Sequence, residues 1–364
     1  MCYSWGMTDS PSTSPIVILI PVFNDWEATR LLLGKLDHEL AAARLPMPIH
    51  VLLVDDASTQ AAPAGYLEDL AARPAVESGE EFLRVERQSG EAATLTPTRV
   101  SSFQRIEILE LRRNLGHQRA IAVGLSWIHA NENCQAVVVM DGDGEDEPRD
   151  ALRLIQRYLQ NSHRPIVFAQ RAQRSESLVF RFFYGIYRVM FRVLTGHKID
   201  FGNFSILPFE AVDRLVAVTE LWNHYASAVI KARLPFESIP TKRGVRLAGN
   251  PRMNFLSLAL HGLSAIAAYG DVLGVRCLLA NIGVMVAALI GIAVVVAIRL
   301  GTEMAIPGWA TNAFGLLLIV LFQAIISSVL FIFIILGNRQ GANFLPVRDY
   351  SYFVLRTRRL VCRP

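Results

Sequence analysis

Charge is scarce in this sequence. Asp, Glu, Lys and Arg make up 19% of 364 residues, while 52% are hydrophobic. An intrinsically disordered chain needs the opposite balance, so disorder is excluded for the chain as a whole. Cysteine is scarcer still. Cys2, Cys134, Cys277 and Cys362 are too few and too scattered for a disulfide framework or a zinc site. Neither a Gly-x-x-x-x-Gly-Lys loop nor a Gly-x-Gly-x-x-Gly fingerprint occurs, which counts against a P-loop NTPase and a dinucleotide enzyme. The net charge of +4 is modest, so its placement matters more than its size, and no nucleic-acid partner is expected. A secretory signal is missing too. Ile16 to Ile20 is a short apolar run, closed by Pro21 and preceded by no cationic region. The large N-terminal region is therefore expected in the cytosol.

What the chain has in quantity is apolar length, with a mean hydropathy of +0.32. Cys277 to Ile298 and Ala313 to Leu336 carry no charge. As helices they would reach about 33 Å and about 36 Å, enough to cross a hydrocarbon core of about 30 Å. Asn281, Gln323, Ser327 and Ser328 are the polar exceptions, expected to hydrogen-bond between the helices. Lys242, Arg243, Arg246, Arg252 and Arg276 precede the first span. Arg339, Arg348, Arg356, Arg358, Arg359 and Arg363 follow the second, and only Arg299 lies between. This asymmetry predicts an inner (plasma) membrane protein with both outer flanks and both termini cytoplasmic. Two further segments carry amphipathic patterns that suit helices lying in the interface. Phe183, Tyr187, Met190 and Leu194 form one stripe beside Arg181, Arg188 and Arg192; Asn254, Ser257, His261 and Ser264 form a polar stripe on an apolar stretch.

Upstream, strands alternate with helical stretches. Strands are predicted at 16–20, 49–54, 106–111, 135–140 and 165–169, and helices at 25–43, 64–72, 118–131 and 149–160. Ser78 to Ser102 reads as a surface insertion or hairpin. The alternation implies an α/β fold, Rossmann-like, with a mostly parallel sheet and helices on both faces. Ligands bind at the carboxyl ends of strands in such sheets, and acidic residues follow two of those ends.

Asp141-Gly142-Asp143 follows the run Val137 to Met140. Two carboxylates flanking a glycine can share a hard cation, and Mg²⁺ prefers one or two carboxylates together with substrate phosphates. Glu145, Asp146 and Glu147 extend the acidic loop. Asp55 and Asp56 end the second strand, where a carboxylate can accept from a base or a ribose, or cap a helix. Asn114-Leu115-Gly116-His117 joins a strand to a helix whose free N–H groups suit a nucleotide or its phosphates. Arg171, Arg174, Arg181, Arg243, Arg246 and Arg252 are candidate phosphate ligands, since arginine stays charged and binds phosphate with two bonds.

These residues form an ordered set: Ile20-Pro21-Val22-Phe23-Asn24-Asp25, Val54 to Ser58, Asn114 to Ala120, Met140 to Pro148, Asp200 to Phe204 and Arg246 to Asn254. The set resembles glycosyltransferase family 2 enzymes of the GT-A fold. Within them it looks like the dolichyl-phosphate mannose synthases and the bacterial polyprenyl-phosphate glycosyltransferases. The resemblance implies that Pro21, Phe23, Asp25, Asp56, Asn114, Gly116, His117 and Asp141 bind the nucleotide sugar. It implies that Asp141, Asp143 and Glu145 hold Mg²⁺ or Mn²⁺, with Asp141, Asp143, Arg171 and Arg246 catalytic. Arg174, Arg181, Arg243 and Arg252 would hold the lipid phosphate. Asp25 replaces the family's usual Glu, Glu145 its usual Gln, and Ser205 stands where an Arg is common.

The expected organisation is a disordered 1–14 and a cytosolic GT-A domain over 15–215 that includes an interfacial helix at 175–195. The end of that domain and a second interfacial helix at 253–270 fill 216–275. Transmembrane helices follow at 276–299 and 312–337, then a basic cytosolic tail at 338–364. The expected activity is inverting transfer of a hexose from a nucleotide sugar, UDP-glucose favoured over a GDP-sugar, to polyprenyl (undecaprenyl) phosphate. The alternatives are a mannose synthase using GDP-mannose and a catalytically degenerate membrane scaffold. A homo-oligomer is compatible with the sequence.

Overall fold

The computed structural model describes residues 14–63, 66, 83–84, 96–97, 102–161, 164–171, 202–249, 269–301, 308–340 and 344–362, with positions 185, 189–190, 192–193 and 196. They divide into two compact units. The first gathers 1–175, 199–253 and 344–364; the second gathers 176–198 and 254–343.

The first unit is built on an eight-stranded sheet. Its strands are β1 (Ile16–Val22), β2 (Ile49–Asp55), β5 (Phe103–Leu111), β6 (Ala136–Val139), β7 (Ile166–Arg171), β8 (Ser205–Pro208), β9 (Phe236–Thr241) and β10 (Val354–Cys362). The short β3 (Leu83–Arg84) and β4 (Thr96–Pro97) pair antiparallel in a separate hairpin. The main order is β10-β5-β2-β1-β6-β8-β7-β9. β1 is central, in parallel register with β2 and β6. All its residues are buried because both faces are covered, which is why it reads as an unbroken apolar run.

Side chains alternate across β1. Ile16, Ile18, Ile20 and Val22 join a core with Trp26, Leu32, Leu33, Leu36 and Leu40 of helix α1 (Trp26–Ala43). Val17 and Leu19 join the opposite core with Ile121 and Leu125 of α2 (His117–Asn131). The approach of α2 is close: a β-carbon on Gly124 would meet Leu19 Cδ1 at 2.5 Å and Val54 Cγ2 at 2.9 Å. Helix α3 (Pro148–Gln160) adds Ala151, Leu154, Ile155 and Tyr158 to the α1 side. Short helices α4 (Phe209–Leu215) and α5 (Tyr225–Lys231) cover the α2 side.

The sheet is less parallel than expected. β8 runs antiparallel to both β6 and β7, and β10 antiparallel to β5. The segment expected as a basic tail at 338–364 is described at 338–340 and from Phe344 to Cys362. After a short helix α8 (Pro346–Asp349), β10 closes one sheet edge, and its arginines face buried carboxylates. Arg356 Nε donates to Glu110 at 2.6 Å, Arg358 Nε lies 2.5 Å from Glu110, and Arg359 Nε donates to Glu107 at 2.6 Å. Buried Glu107 and Glu110 of β5 thus stand opposite the arginines of this edge strand.

The second unit holds two 32-residue helices, α6 (Gly270–Gly301) and α7 (Trp309–Gln340). Both are long and apolar enough to cross a membrane, with mean hydropathies of 2.6 and 2.9 over an 18-residue stretch of each. They pack antiparallel through small residues. A β-carbon on Gly274 would meet Ile335 Cγ1 at 2.5 Å, and one on Gly291 would meet Leu317 Cδ1 at 3.1 Å. Ser328 donates to Ala324 O at 2.8 Å, bonding its own helix rather than its neighbour. The interfacial helices expected at 175–195 and 253–270 lie almost entirely outside the described residues.

Candidate active site

The site forms where β1, β2 and β6 end. Leaving β1, Asn24 takes a positive φ of 56°. Its amide N–H donates to Ser58 Oγ at 2.9 Å, while its side-chain oxygen accepts from Gln60 N at 3.0 Å. Trp26 Nε1 donates to Gln60 O at 2.8 Å. The β1 and β2 loops are thus tied together, with Pro21 buried beneath them and Phe23 on the surface.

Asp56 has a role that spacing could not show. It is 3% exposed, and its two oxygens accept from Leu115 N at 2.6 Å and Gly116 N at 2.8 Å. Burial raises its carboxyl above the usual range, opposed by these two amide bonds. Each of its oxygens thus holds one amide of the turn that starts α2. Gly116 takes φ +87°, a conformation that disfavours any β-carbon. Asn114 is exposed beside it.

Beyond β6, the loop folds tightly on itself. Asp141 N donates to Asp146 Oδ2 at 2.9 Å, and Glu145 N to Asp143 Oδ1 at 3.0 Å. Gly142 is needed because a β-carbon would press on Ile20, Thr29 and Pro21 O at 3.1–3.3 Å. A second loop, residues 242–249, lies against the first. Gly244 N donates to Glu145 O at 2.8 Å and Leu247 N to Asp143 O at 2.9 Å. A β-carbon on Gly244 would stand 2.8 Å from Gly144 O.

This second loop delivers two arginines. Arg246 lies 2.8 Å from Asp25 Oδ2 and 3.2 Å from Asp143 Oδ2, bridging residues expected to hold nucleotide and metal. Arg243 Nη2 pairs with Glu145 Oε2 at 2.5 Å. Burial raises the Asp143 carboxyl above its usual range; the Glu145 amide and Arg246 oppose the rise, and Asp141 and Glu145 add to it. His117 Nε2 is 3.2 Å from Asp141 Oδ1 and 3.0 Å from Asn203 Nδ2. Desolvation pulls its pKa down, but the charges of Asp141, Asp146 and Asp143 outweigh this and leave it above the ordinary value.

The structure thus brings Asp25, Asp141, Asp143, Glu145, His117, Arg243 and Arg246 together. Arg171 ends β7. Arg174, Arg181 and Arg252 lie outside the described residues. A small cleft beside Asp141 is lined also by Asp146, Ala169, Asn203, Phe204, Thr241 and Lys242. Sequence reasoning missed Asn203, although it sits in the quoted run Asp200 to Phe204. It also missed Lys242 as a cleft residue. Ser205, expected as the place of a lost cation, is fully buried with its hydroxyl 2.7 Å from that of Tyr225.

Asp141 and Asp143 suit a divalent ion. Carboxylate oxygens are the donors that Mg²⁺ and Mn²⁺ take, and the guanidinium on Asp143 already stands in as a cation against a carboxylate whose charge burial disfavours. Glu145 is turned to Arg243 and is not part of that pair. Among the described residues no group of three His, Cys, Asp or Glu forms a metal cage.

No family model matches the chain. In sequence it is similar to the uncharacterized glycosyltransferase YkcC of Bacillus subtilis (strain 168), 24% identical over 268 residues, 69% of this chain and 75% of that one. Among solved structures, mannosyl-3-phosphoglycerate synthase from Rubrobacter xylanophilus superposes at 13% identity and TM-score 0.42, over 70% of this chain and 72% of that one. Glucosyl-3-phosphoglycerate synthase from Mycobacterium tuberculosis, solved with Mn²⁺, UDP-glucose and phosphoglyceric acid, superposes at 12% identity and TM-score 0.45, over 72% and 80%. Superpositions this loose carry no argument about chemistry. The chain is thus similar in sequence to a glycosyltransferase, and it joins an α/β domain to two long apolar helices.

Proposed function

We propose that the protein is a membrane-bound inverting glycosyltransferase that moves a hexose from a nucleotide sugar, UDP-glucose in preference to a GDP-sugar, to polyprenyl phosphate on the cytosolic face. The observation that carries this reading is one arginine paired with both Asp25 and Asp143, with Asp141 on the same loop as Asp143, at the carboxyl ends of β1 and β6. Sheets of this kind bind ligands there. The two apolar helices support a lipid acceptor, and the arginine asymmetry around them supports a cytosolic catalytic domain.

Asp141 and Asp143 would hold Mg²⁺ or Mn²⁺. When bound, that ion offsets charge on the departing diphosphate. The chain's own groups do the rest. Asp56 fixes the Leu115–Gly116 turn, so that the first N–H groups of α2 are presented in one orientation. An acceptor phosphate is ionised at neutral pH, so it needs alignment rather than a general base. Arg246 and Arg243 would hold phosphate oxygens after leaving their carboxylates, together with Arg171, Arg174 and Arg252. Phe23 and Asp25 would face the nucleotide.

The test is to incubate membranes containing the protein with radiolabelled UDP- and GDP-sugars and undecaprenyl phosphate. Label in the extracted lipid, lost with chelator, is the expected result. No labelled lipid from any donor would refute the reading.

A further inference from the structure

We infer that Asn203 contacts the sugar of the bound nucleotide sugar, and that Gln118 is the positioning residue that aims it; the inference rests on the donor class proposed above. The backbone N–H of Tyr225, first residue of α5, can only donate, and it does so to the Gln118 side chain at 2.7 Å. The oxygen of that amide must therefore face Tyr225, which turns its NH₂ toward Asn203. Gln118 Nε2 donates to Asn203 Oδ1 at 3.1 Å.

The same constraint passes to the next amide. With its oxygen occupied, Asn203 presents Nδ2 on the other side, 3.0 Å from His117 Nε2. That nitrogen carries two hydrogens; it can give one to His117 only when Nε2 is bare, so at least one remains for another acceptor. The backbone is held as well: Ser205 Oγ donates to Asn203 O at 2.9 Å, and the Tyr225 hydroxyl lies 2.7 Å from Ser205 Oγ. Asn203 is thus fixed at both ends, and it lines the cleft beside Asp141.

The rest of the wall indicates what the free donor meets. Ala169, Phe204 and Thr241 are neutral, Lys242 is the cation there, and Asp141 and Asp146 are anions. Such a mixed surface suits a ring bearing hydroxyls better than a dianionic phosphate. Asn203 then acts as a specificity residue, reading the acceptor oxygen of one hydroxyl. Buried polar groups left unpaired by a wrong ligand are what make such readout selective.

The test is calorimetric titration of the full chain in nanodiscs with Mg²⁺ and UDP-glucose, GDP-mannose, UDP or GDP. Gln118→Glu keeps an oxygen for Tyr225 N but loses the donor to Asn203. Asn203→Asp keeps the acceptor for Gln118 but replaces the donor facing the cleft. Each is expected to weaken the sugar nucleotide about tenfold while leaving the bare nucleotide diphosphate unchanged. Combined with Asn203→Ala, Gln118→Glu should add no further loss, because it acts through a group already removed. Unchanged affinity in Asn203→Asp, equal loss for the bare diphosphate, or losses that multiply would overturn the inference and leave the donor class standing. A wild-type chain that binds neither sugar nucleotide would overturn both.

Discussion

Two groups of carboxylates in the α/β unit are neutralised by arginines, and the backbone beneath them differs. Glu107 and Glu110 lie on β5, and their partners Arg359, Arg356 and Arg358 lie on β10, paired with β5 residue by residue. Asp25, Asp143 and Glu145 lie at strand ends, and their partners Arg246 and Arg243 come from an irregular loop. In the first case, removing a cation means unmaking a strand. In the second, the guanidinium can swing away and another cation can take its place at the cost of a few loop bonds. The same ion pair is a staple on a ladder and an exchangeable counter-ion on a loop.

The sharpest way to break this comparison is Asp143→Ala. It should cut turnover by roughly 10²–10³-fold or more while leaving thermal stability nearly unchanged, read by lipid labelling and by Tm. Arg246→Gln should follow the same pattern, with turnover down about 10-fold to 100-fold, because it removes a candidate phosphate ligand and no structural strand. Arg359→Gln is its counterpart, expected to lower Tm and leave KM for the sugar nucleotide alone; a large change in KM would erase the distinction.

Deleting 354–364 should act on stability first. It exposes the β5 edge and removes the β10 arginines from Glu107 and Glu110, so Tm should fall by roughly 5–10 °C. The smallest effect concerns acid. Glu132 is raised by burial, but His50 and Arg105 lower it by more, so its carboxyl sits below the usual range. Its stabilising contribution is present above the ordinary carboxylate range and is lost as pH falls through the depressed value. Arg105→Gln should raise that value and move the midpoint of acid unfolding to higher pH, measured by circular dichroism.

Several of these features were legible in sequence, each for a local reason. β1 declares itself because a strand covered on both faces must be apolar throughout. Helices α6 and α7 declare themselves because Cys277 to Ile298 and Ala313 to Leu336 carry no charge. Asp141 and Asp143 stand out because they interrupt a buried strand's end. Less legible were β8 and β9. The four residues Ser205–Pro208 are too short for a periodic signal, and Phe236–Thr241 alternates between exposed and half-buried positions before its buried last residue.

Other features belong to tertiary structure alone. A run of arginines after a membrane span is a tail or a strand depending on whether anions wait for it, and Glu107 and Glu110 are about 250 residues away in sequence. That Asp56 holds the turn before α2 shows only when the fold brings Leu115 N and Gly116 N to it. Gln118 and Asn203 are unremarkable polar residues until Tyr225 N fixes the direction of both amides. The sequence by itself determined which segments are buried, which could span a membrane and where carboxylates gather, since burial and charge are properties of composition over short windows. Which partner each polar atom meets was decided only by the folded chain, because a hydrogen bond is a matter of a few tenths of an ångström between groups that the sequence places far apart.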